Sequence, residues 1–157
     1  MSYKEQILRI EKRYKEAGGK WPASSIEVAT WAVGKKLYEM HPSAVIRQFA
    51  EQIAQVWRDE YMTDPQKRRV RVKHAARYSE HGETKWLWGD MRSATHHHME
   101  LSFQHKREQI VMDCHQLKLD VDSYNENFNK GRTIQMVFDF QLDLEELSLE
   151  ANRPAAA

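Results

Sequence analysis

Residues 67–77 read KRRVRVKHAAR, and this stretch alternates cationic with apolar residues at a spacing of two. Such alternation is typical of a β-strand that buries one face and exposes the other. It predicts a cationic face of Arg69, Arg71 and Lys73, with Val70, Val72 and His74 on the opposite face. A row of cations on a strand indicates contact with a polyanion, most simply nucleic acid. The alternative is a solvated edge strand whose cations prevent pairing with other edges.

The charge of the 157-residue chain is unevenly distributed, although its formal net charge is only +1. Residues 63–92 carry eight Lys or Arg against four Asp or Glu, whereas residues 131–157 carry two against five. A basic middle and an acidic tail can each have their own partner. Cys114 is the only cysteine, which excludes an internal disulfide and fits a reducing, cytoplasmic setting. No apolar run is long enough to cross a bilayer, so we expect no membrane contact.

The first sixty residues predict three helices, each with its own start signal. Ser2–Glu5 and Ser24–Glu27 have the form of capping boxes, and Ser43 is the expected N-cap of the third helix. Asp64-Pro65 is expected to stop that third helix. The apolar stripes expected to be buried are Tyr3, Ile7, Ile10 and Tyr14 in the first helix, Ile26, Ala29, Val33 and Leu37 in the second, and Ile46, Phe49, Ala50, Ile53, Trp57 and Tyr61 in the third.

A β-hairpin is predicted to follow the three helices. Its strands are Arg69–Tyr78 and Thr84–Trp88, joined by a polar turn at residues 79–83. Three helices followed by a hairpin is the order of a winged helix-turn-helix, and the short spacing around Met40-His41-Pro42 favours a helix-turn-helix pair. The sequence therefore predicts a mainly α protein with a β-hairpin, whose residues 1–92 form a winged-helix DNA-binding domain.

The remainder of the chain predicts a long helix and an extended tail. Residues 93–130 have apolar residues at spacings of three, four or seven, which is typical of a long amphipathic helix. Residues 131–157 form the tail, in which apolar residues alternate from Ile134 to Leu144 as in a strand. The apolar stripe of this helix is longer than the domain, so part of it must be covered by another surface. We expect either that the helix packs back on the domain or that two copies pair as a homodimer. The expected dimer contacts are Ile110, Cys114, Leu117, Val121 and Tyr124.

The DNA interpretation assigns two groups of residues. Arg and Gln on a helix in the major groove form paired hydrogen bonds with guanine and adenine, and cations on the hairpin hold phosphates. The predicted base-contacting residues are Ser43, Arg47, Gln48, Gln52 and Gln55 on the third helix. The predicted phosphate-contacting residues are Lys67, Arg68, Arg69, Arg71, Lys73 and Arg77. The competing interpretation of the helix is an ordinary solvated face, because Gln and Arg are good helix formers.

Metal binding and catalysis find little support in the sequence. The run His96-His97-His98 points in three directions around a helix start, and His98 and His105 are two turns apart, too far for one ion. We therefore expect a solvated helix terminus there, with no metal site and no cofactor. The chain has no glycine-rich phosphate loop and no nucleophile elbow. A non-enzymatic protein is expected.

The tail contains a pattern that is known from peptide docking. Residues 135–140 read QMVFDF and resemble the peptides by which bacterial replication and repair proteins dock on the sliding clamp, which present a Gln followed by large apolar residues in extended form. The resemblance implies partner contacts by Gln135, Met136, Phe138 and Phe140. The alternative is an amphipathic strand packed on the domain or on a second copy.

Several stretches of the chain resemble an uncharacterised family of bacteriophage and prophage proteins. They are residues 21–27 (WPASSIE), 64–71 (DPQKRRVR), 120–125 (DVDSYN) and 134–140 (IQMVFDF). The resemblance implies a role in regulation, replication or host takeover inside the bacterial cytoplasm. Our principal expectation is a homodimer that binds double-stranded DNA. The alternative is a protein-interaction module, a phage-type inhibitor or adaptor that binds a host replication protein such as the sliding clamp.

Overall fold

The computed structural model describes residues 2–38 and 42–154, and of Pro42 only the backbone. The protein is mainly helical with small antiparallel hairpin sheets, as predicted. It divides into two compact units, residues 1–59 and residues 60–157. The predicted helices thus belong to one unit and the predicted hairpin to the other, and the expected domain of residues 1–92 spans the division.

The first unit consists of helices α1 (Tyr3–Glu16), α2 (Ser25–Gly34) and α3 (Pro42–Arg58). Both predicted capping boxes are confirmed, because the Ser2 and Ser24 hydroxyls each accept a hydrogen bond from a main-chain amide three residues later. Local side-chain chemistry is sufficient to fix these helix starts. The predicted turn at Met40 and His41 lies outside the described residues.

The core of the first unit lies between α1 and α2. Ile10, Tyr14 and Ala32 are buried, and the Tyr14 ring packs edge-on against Trp31 at 5.5 Å. The predicted stripe of α2 is wrong, because Ile26 and Val33 are 76% and 60% exposed. The buried face of α2 is shifted by about one residue from the predicted stripe, so that Trp31 and Ala32 face the core.

Helix α3 differs most from its prediction. Ile46 and Phe49, expected in the core, are 74% and 62% exposed. The helix begins at Pro42, so Ser43 lies in its first turn rather than at the cap. It ends at Arg58, well before Asp64-Pro65, and Tyr61 belongs to a strand. The apolar face of α3 is therefore available to solvent along much of its length.

The second unit opens with two hairpins in place of the single one predicted. Strand β1 (Tyr61–Thr63) pairs with β2 (Arg69–Arg71), and β3 (Lys73–Glu80) pairs with β4 (Glu83–Asp90), both antiparallel. The predicted continuous strand Arg69–Tyr78 is therefore wrong. It breaks at Val72, which is 2% exposed and whose main chain bonds to Glu60 O and Met91 N. Burial and these two hydrogen bonds form a junction that directs β2 and β3 into different sheets.

The turn of the β3–β4 hairpin is tighter than predicted. His81 and Gly82 have φ values of 50° and 78°, which are typical of the two-residue turn that matches strand twist. Ser79, Glu80 and Glu83, expected in the turn, therefore lie in the strands. The return strand is correspondingly longer than the predicted Thr84–Trp88.

The long helix is confirmed, whereas the expected C-terminal strand is not. Helix α4 spans His96–Asn127, with Thr95 as its N-cap. Residues 133–140, which the sequence predicts to be extended and which we call the extended segment, lie in no helix or strand and have no strand partner in the described chain. Helix α5 (Gln141–Ala151) then includes Leu142 and Leu144, so the predicted alternation to Leu144 is wrong. Leu147 and Leu149 continue an apolar series that fits a helix as well as a strand.

Candidate nucleic-acid interface

The basic arm, as we call β1, β2 and their turn (residues 61–71), holds two arginines against one aromatic ring. Register places Tyr61 opposite Arg71 and Thr63 opposite Arg69, so all four share one face. The Arg69 guanidinium lies 4.5 Å from the centre of the Tyr61 ring, and that of Arg71 lies 5.8 Å away. Arg71 Nε also donates a hydrogen bond to the Tyr61 hydroxyl at 3.2 Å. The ring thus orders two guanidinium groups that remain exposed to solvent.

The turn of the basic arm is closed by Asp64. Its carboxylate accepts hydrogen bonds from Arg68 N (2.8 Å) and Arg68 Nε (2.7 Å). The main-chain bond from Arg68 and then its side-chain bond hold the pKa of the Asp64 carboxyl below its ordinary value. Arg68 is therefore partly neutralised. Arg69 and Arg71, in contrast, have no carboxylate within ion-pair distance among the described residues.

The other predicted phosphate contacts are divided by the strand break. Lys67 is exposed in the turn with a φ of 67°, whereas Lys73 forms an ion pair with Glu60. Arg77 is exposed on β3 opposite Trp86. The cationic row of the prediction is thus reduced to Lys67, Arg69 and Arg71 on the basic arm, with Arg77 on a separate sheet.

The predicted base-contacting residues lie on α3, in the first unit. Ser43, Arg47, Gln48, Gln52 and Gln55 are all exposed. Gln55 donates to Asp59 at 2.9 Å, and Arg58 pairs with Glu51 at 2.9 Å, so the C-terminal half of this face is engaged within the helix. Arg47 and Gln48 lie nearer the N-terminal end, where the face carries a cation.

Helix α4 is joined to the β3–β4 hairpin by three polar side chains at spacings of four and three. His98 is 8% exposed, with Nε2 2.9 Å from His74 O and Nδ1 2.8 Å from the Tyr78 hydroxyl. Because a carbonyl only accepts, Nε2 carries the proton and Nδ1 accepts from Tyr78 in the neutral ring. Ser102 Oγ donates to Ala75 O at 2.7 Å. The main-chain N–H of Arg77 donates to His105 Nδ1 at 3.2 Å.

This joint corrects the expectation of a solvated helix start at His96–His98. His96 and His97 are exposed, but His98 is part of the core of the second unit. Gly89 makes room for it, since a Cβ there would lie 2.7 Å from His98 Nε2. The spacing of His98, Ser102 and His105 on one helix face was a sequence signal for this contact. The spacing alone does not identify the strand residues to which they bond.

The extended segment is held at one end and exposed along the rest. The Asn125 side chain donates to Ile134 O at 2.7 Å and accepts from Ile134 N at 3.0 Å, as a neighbouring strand would. The predicted docking residues follow: Met136 and Phe140 are 50% and 42% exposed, Gln135 is exposed, and Phe138 is half-buried. Asn125 was not anticipated from the sequence.

The predicted dimer stripe of α4 is largely open to solvent. Ile110, Leu117 and Tyr124 are 49%, 44% and 45% exposed, and Cys114 and Val121 are half-buried. Further apolar residues on other sides of the same helix are also exposed, among them Met112 and Leu119. An apolar surface of this extent is more than a single soluble chain usually exposes.

The described residues also bear on metal binding and on membrane insertion. Within residues 2–38 and 42–154, no three His, Cys, Asp or Glu side chains converge as metal ligands would. In the same residues, every helix is either too short or too polar to cross a bilayer.

Comparison with known proteins gives no relative for this chain. No protein-family model, no curated protein and no solved structure matches it.

Proposed function

We propose that this protein is a non-enzymatic DNA-binding protein that holds the phosphate backbone with its basic arm. The observation that carries the proposal is the pair Arg69 and Arg71, ordered around Tyr61 and free of carboxylate partners among the described residues. Guanidinium groups bind phosphate oxygens with paired hydrogen bonds. Two that are already ordered lose less conformational entropy on binding than two mobile side chains would.

We also propose a base-reading helix, a homodimer and a role in regulation or replication. Helix α3 would read bases with Arg47 and Gln48, as the recognition helix of a winged helix-turn-helix. A homodimer would place two such helices on a palindromic double-stranded site. The resemblance to phage and prophage proteins supports a role in regulation or replication within the bacterial cytoplasm.

The basic arm can be tested by the salt dependence of DNA binding. Arg69→Ala together with Arg71→Ala should weaken binding to duplexes of any sequence. It should also flatten the plot of log affinity against log salt by roughly two, because about 0.9 counterion is released per neutralised phosphate. The matched control is Arg9→Ala with Arg13→Ala, two exposed arginines of α1 whose loss changes the net charge equally. Equal slopes for both double variants in fluorescence anisotropy would rule out the arm as the phosphate contact.

Sequence preference is expected from α3. Arg47→Ala or Gln48→Ala should cost roughly 1–3 kcal/mol on a selected site and much less on random duplex. Binding-site selection from a random library followed by competition titrations measures the difference. Equal losses on both duplexes would show that these residues do not read bases.

A second candidate function rests on the exposed extended segment. Its exposure favours a protein-interaction module that docks Gln135, Met136, Phe138 and Phe140 on a host replication protein such as the sliding clamp. An extended peptide of this kind fills pockets with alternate side chains. Such docking depends on apolar contacts, so it should change little between low and moderate salt, unlike phosphate binding.

Truncation tests this second candidate. A chain ending at Lys130 should melt within a few degrees of the full chain and should lose binding to purified sliding clamp. Gln135→Ala should lose clamp binding without any truncation. A chain that collapses on truncation would show that residues 131–154 are structural, and Phe138→Ala would then cost roughly 3–5 kcal/mol.

A further inference from the structure

Helix α5 carries carboxylates that have no counter-charge. Every residue of the helix is exposed, and its charged residues are all acidic: Asp143, Glu145, Glu146 and Glu150. None of these carboxylates lies within ion-pair distance of a cation among the described residues. Asp143, Glu146 and Glu150 are spaced by three and four residues, so they share one face of the helix. We call these three residues the acidic stripe.

Glu150 lies at the end of α5 where a carboxylate is least favourable. The C-terminus of a helix carries a partial negative charge, and the last turn of α5 contains no basic residue. A helix of eleven residues is only marginally stable by itself, and α5 buries none of its residues against the rest of the described chain. A cationic surface that contacts the acidic stripe would therefore stabilise the helix as well as neutralise its charge.

The basic arm has the complementary charge and a matching spacing. Lys67, Arg69 and Arg71 are exposed, and none of them has a carboxylate within ion-pair distance in the part of the chain that the structure describes. Arg69 and Arg71 are about 7 Å apart along their strand. Glu146 and Glu150 are about 6 Å apart along the axis of α5. Both guanidinium groups are already ordered against one aromatic ring, and guanidinium binds carboxylate with paired hydrogen bonds.

Helix α4 separates α5 from the basic arm of the same chain. The arm leads directly into β3, whose first residues lie beside His98 at the start of α4. Helix α5 follows the other end of α4, where Asn125 is bonded to Ile134. His98 and Asn125 are about 40 Å apart along the helix axis. Residues 135–140 span at most about 20 Å and α5 itself adds about 16 Å, so the acidic stripe does not reach the arm of its own chain.

We infer that α5 of one copy docks on the basic arm of a second copy, with Glu146 and Glu150 against Arg69 and Arg71. The inference rests on the homodimer proposed above, which supplies the second copy. Two copies whose α4 helices run in opposite directions bring the acidic end of each beside the basic end of the other, and a two-fold axis closes both contacts. The carboxylates then occupy the place where the proposed function puts phosphates. Helix α5 and nucleic acid therefore compete for the arm.

Charge exchange in the full chain tests the docking without any nucleic acid. Arg69→Glu with Arg71→Glu, and in a second variant Glu146→Lys with Glu150→Lys, should each raise the dimer dissociation constant about tenfold or more in sedimentation equilibrium at low salt. All four positions are exposed, so both variants should remain folded by circular dichroism. An equimolar mixture of the two variants should restore association, because every contact of the mixed dimer again joins opposite charges.

The matched control replaces two exposed carboxylates of α4 in the same way. Glu108→Lys with Glu126→Lys should not restore association when mixed with the arm variant. A mixture of the arm and α5 variants that associates no more tightly than either alone overturns the inference. A wild type that is monomeric at about 100 μM, on the order of 100-fold above a micromolar constant, also overturns it.

Duplex binding tests the competition for the arm separately. Glu146→Gln with Glu150→Gln should bind a duplex several-fold more tightly than Glu108→Gln with Glu126→Gln in fluorescence anisotropy, although both double variants change the net charge equally. The titrations are run at protein concentrations above the dimer dissociation constant, where the arm of the control is occupied by α5. Equal affinities overturn the competition. If no form of the protein binds duplex, the proposed function fails, and the charge exchange still decides whether α5 docks on the arm.

Discussion

The joint between α4 and the β3–β4 hairpin predicts a large and local effect of one substitution. His98→Ala removes two hydrogen bonds, those to His74 O and the Tyr78 hydroxyl, and leaves a cavity beside Gly89. Each bond contributes about 1 kcal/mol net, and the lost packing adds a similar amount, so we expect a loss of about 3 kcal/mol in the free energy of unfolding of this unit. His98→Gln, which keeps a donor, should cost less.

Hydrogen exchange measured by mass spectrometry on peptides from residues 72–90 isolates this effect from the first unit. A loss of about 3 kcal/mol corresponds to roughly a hundredfold decrease in protection of the β3 amides. The matched control is His96→Ala, which removes an exposed histidine two positions before His98 and should change stability by less than about 0.5 kcal/mol. Equal protection in the His98 and His96 variants would refute the assignment of the joint as a stabilising contact.

Three further outcomes follow from the second unit. Gly89→Ala should destabilise the hairpin by about 1–3 kcal/mol in denaturant titrations, because the new Cβ overlaps the His98 ring; an unchanged midpoint would contradict the close approach. Hydrogen bonds from the Arg92 side chain and main chain lower the pKa of Asp90 to about 2 from its ordinary 3.8. This stabilisation is complete above the ordinary pKa and is lost as pH falls towards 2, so between pH 5 and pH 2 Asp90→Asn should lose less thermal stability than the wild type does. Leu117→Asp should give a monomer in light scattering, and a wild type that is itself monomeric would refute the α4 interface.

Local signals in the sequence predicted the helices whose ends are fixed by neighbouring residues. Ser2 and Ser24 cap their helices through partners three residues away, so the pattern contains the whole interaction. The long helix α4 was equally accessible, because its periodicity extends over many turns. Boundaries of this kind require no knowledge of the tertiary fold.

Features that depend on distant partners could not be predicted in this way. The strand breaks at Val72 because Glu60 and Met91 bond to its main chain, and neither partner is encoded in the alternating pattern. Leu142 and Leu144 satisfy a period of two, yet helix formation from Gln141 overrides it. The stripe of α3 was correctly recognised as apolar, but periodicity alone does not say whether such a face is covered.

The sequence predicted the arginines of the candidate interface but not the side chains that contact its cations. Arg69 and Arg71 were identified from the alternating cations, whereas Tyr61 was assigned to the stripe of α3. Lys73 was counted as available, although Glu60 neutralises it. The alternating pattern therefore identified the cations. It did not identify the Tyr61 ring or the Glu60 carboxylate, which decide which cations remain available to bind phosphate.

The spacing of His98, Ser102 and His105 has a consequence for length variation in this protein. An inserted or deleted residue rotates the following part of an α-helix by about 100°. A single deletion among Met99–Leu101 would therefore turn Ser102 and His105 away from β3 together, although point substitutions at exposed positions of the same turns would be tolerated. The helix is thus fixed in phase from His98 to His105, and changes in its length can be accommodated only beyond that stretch.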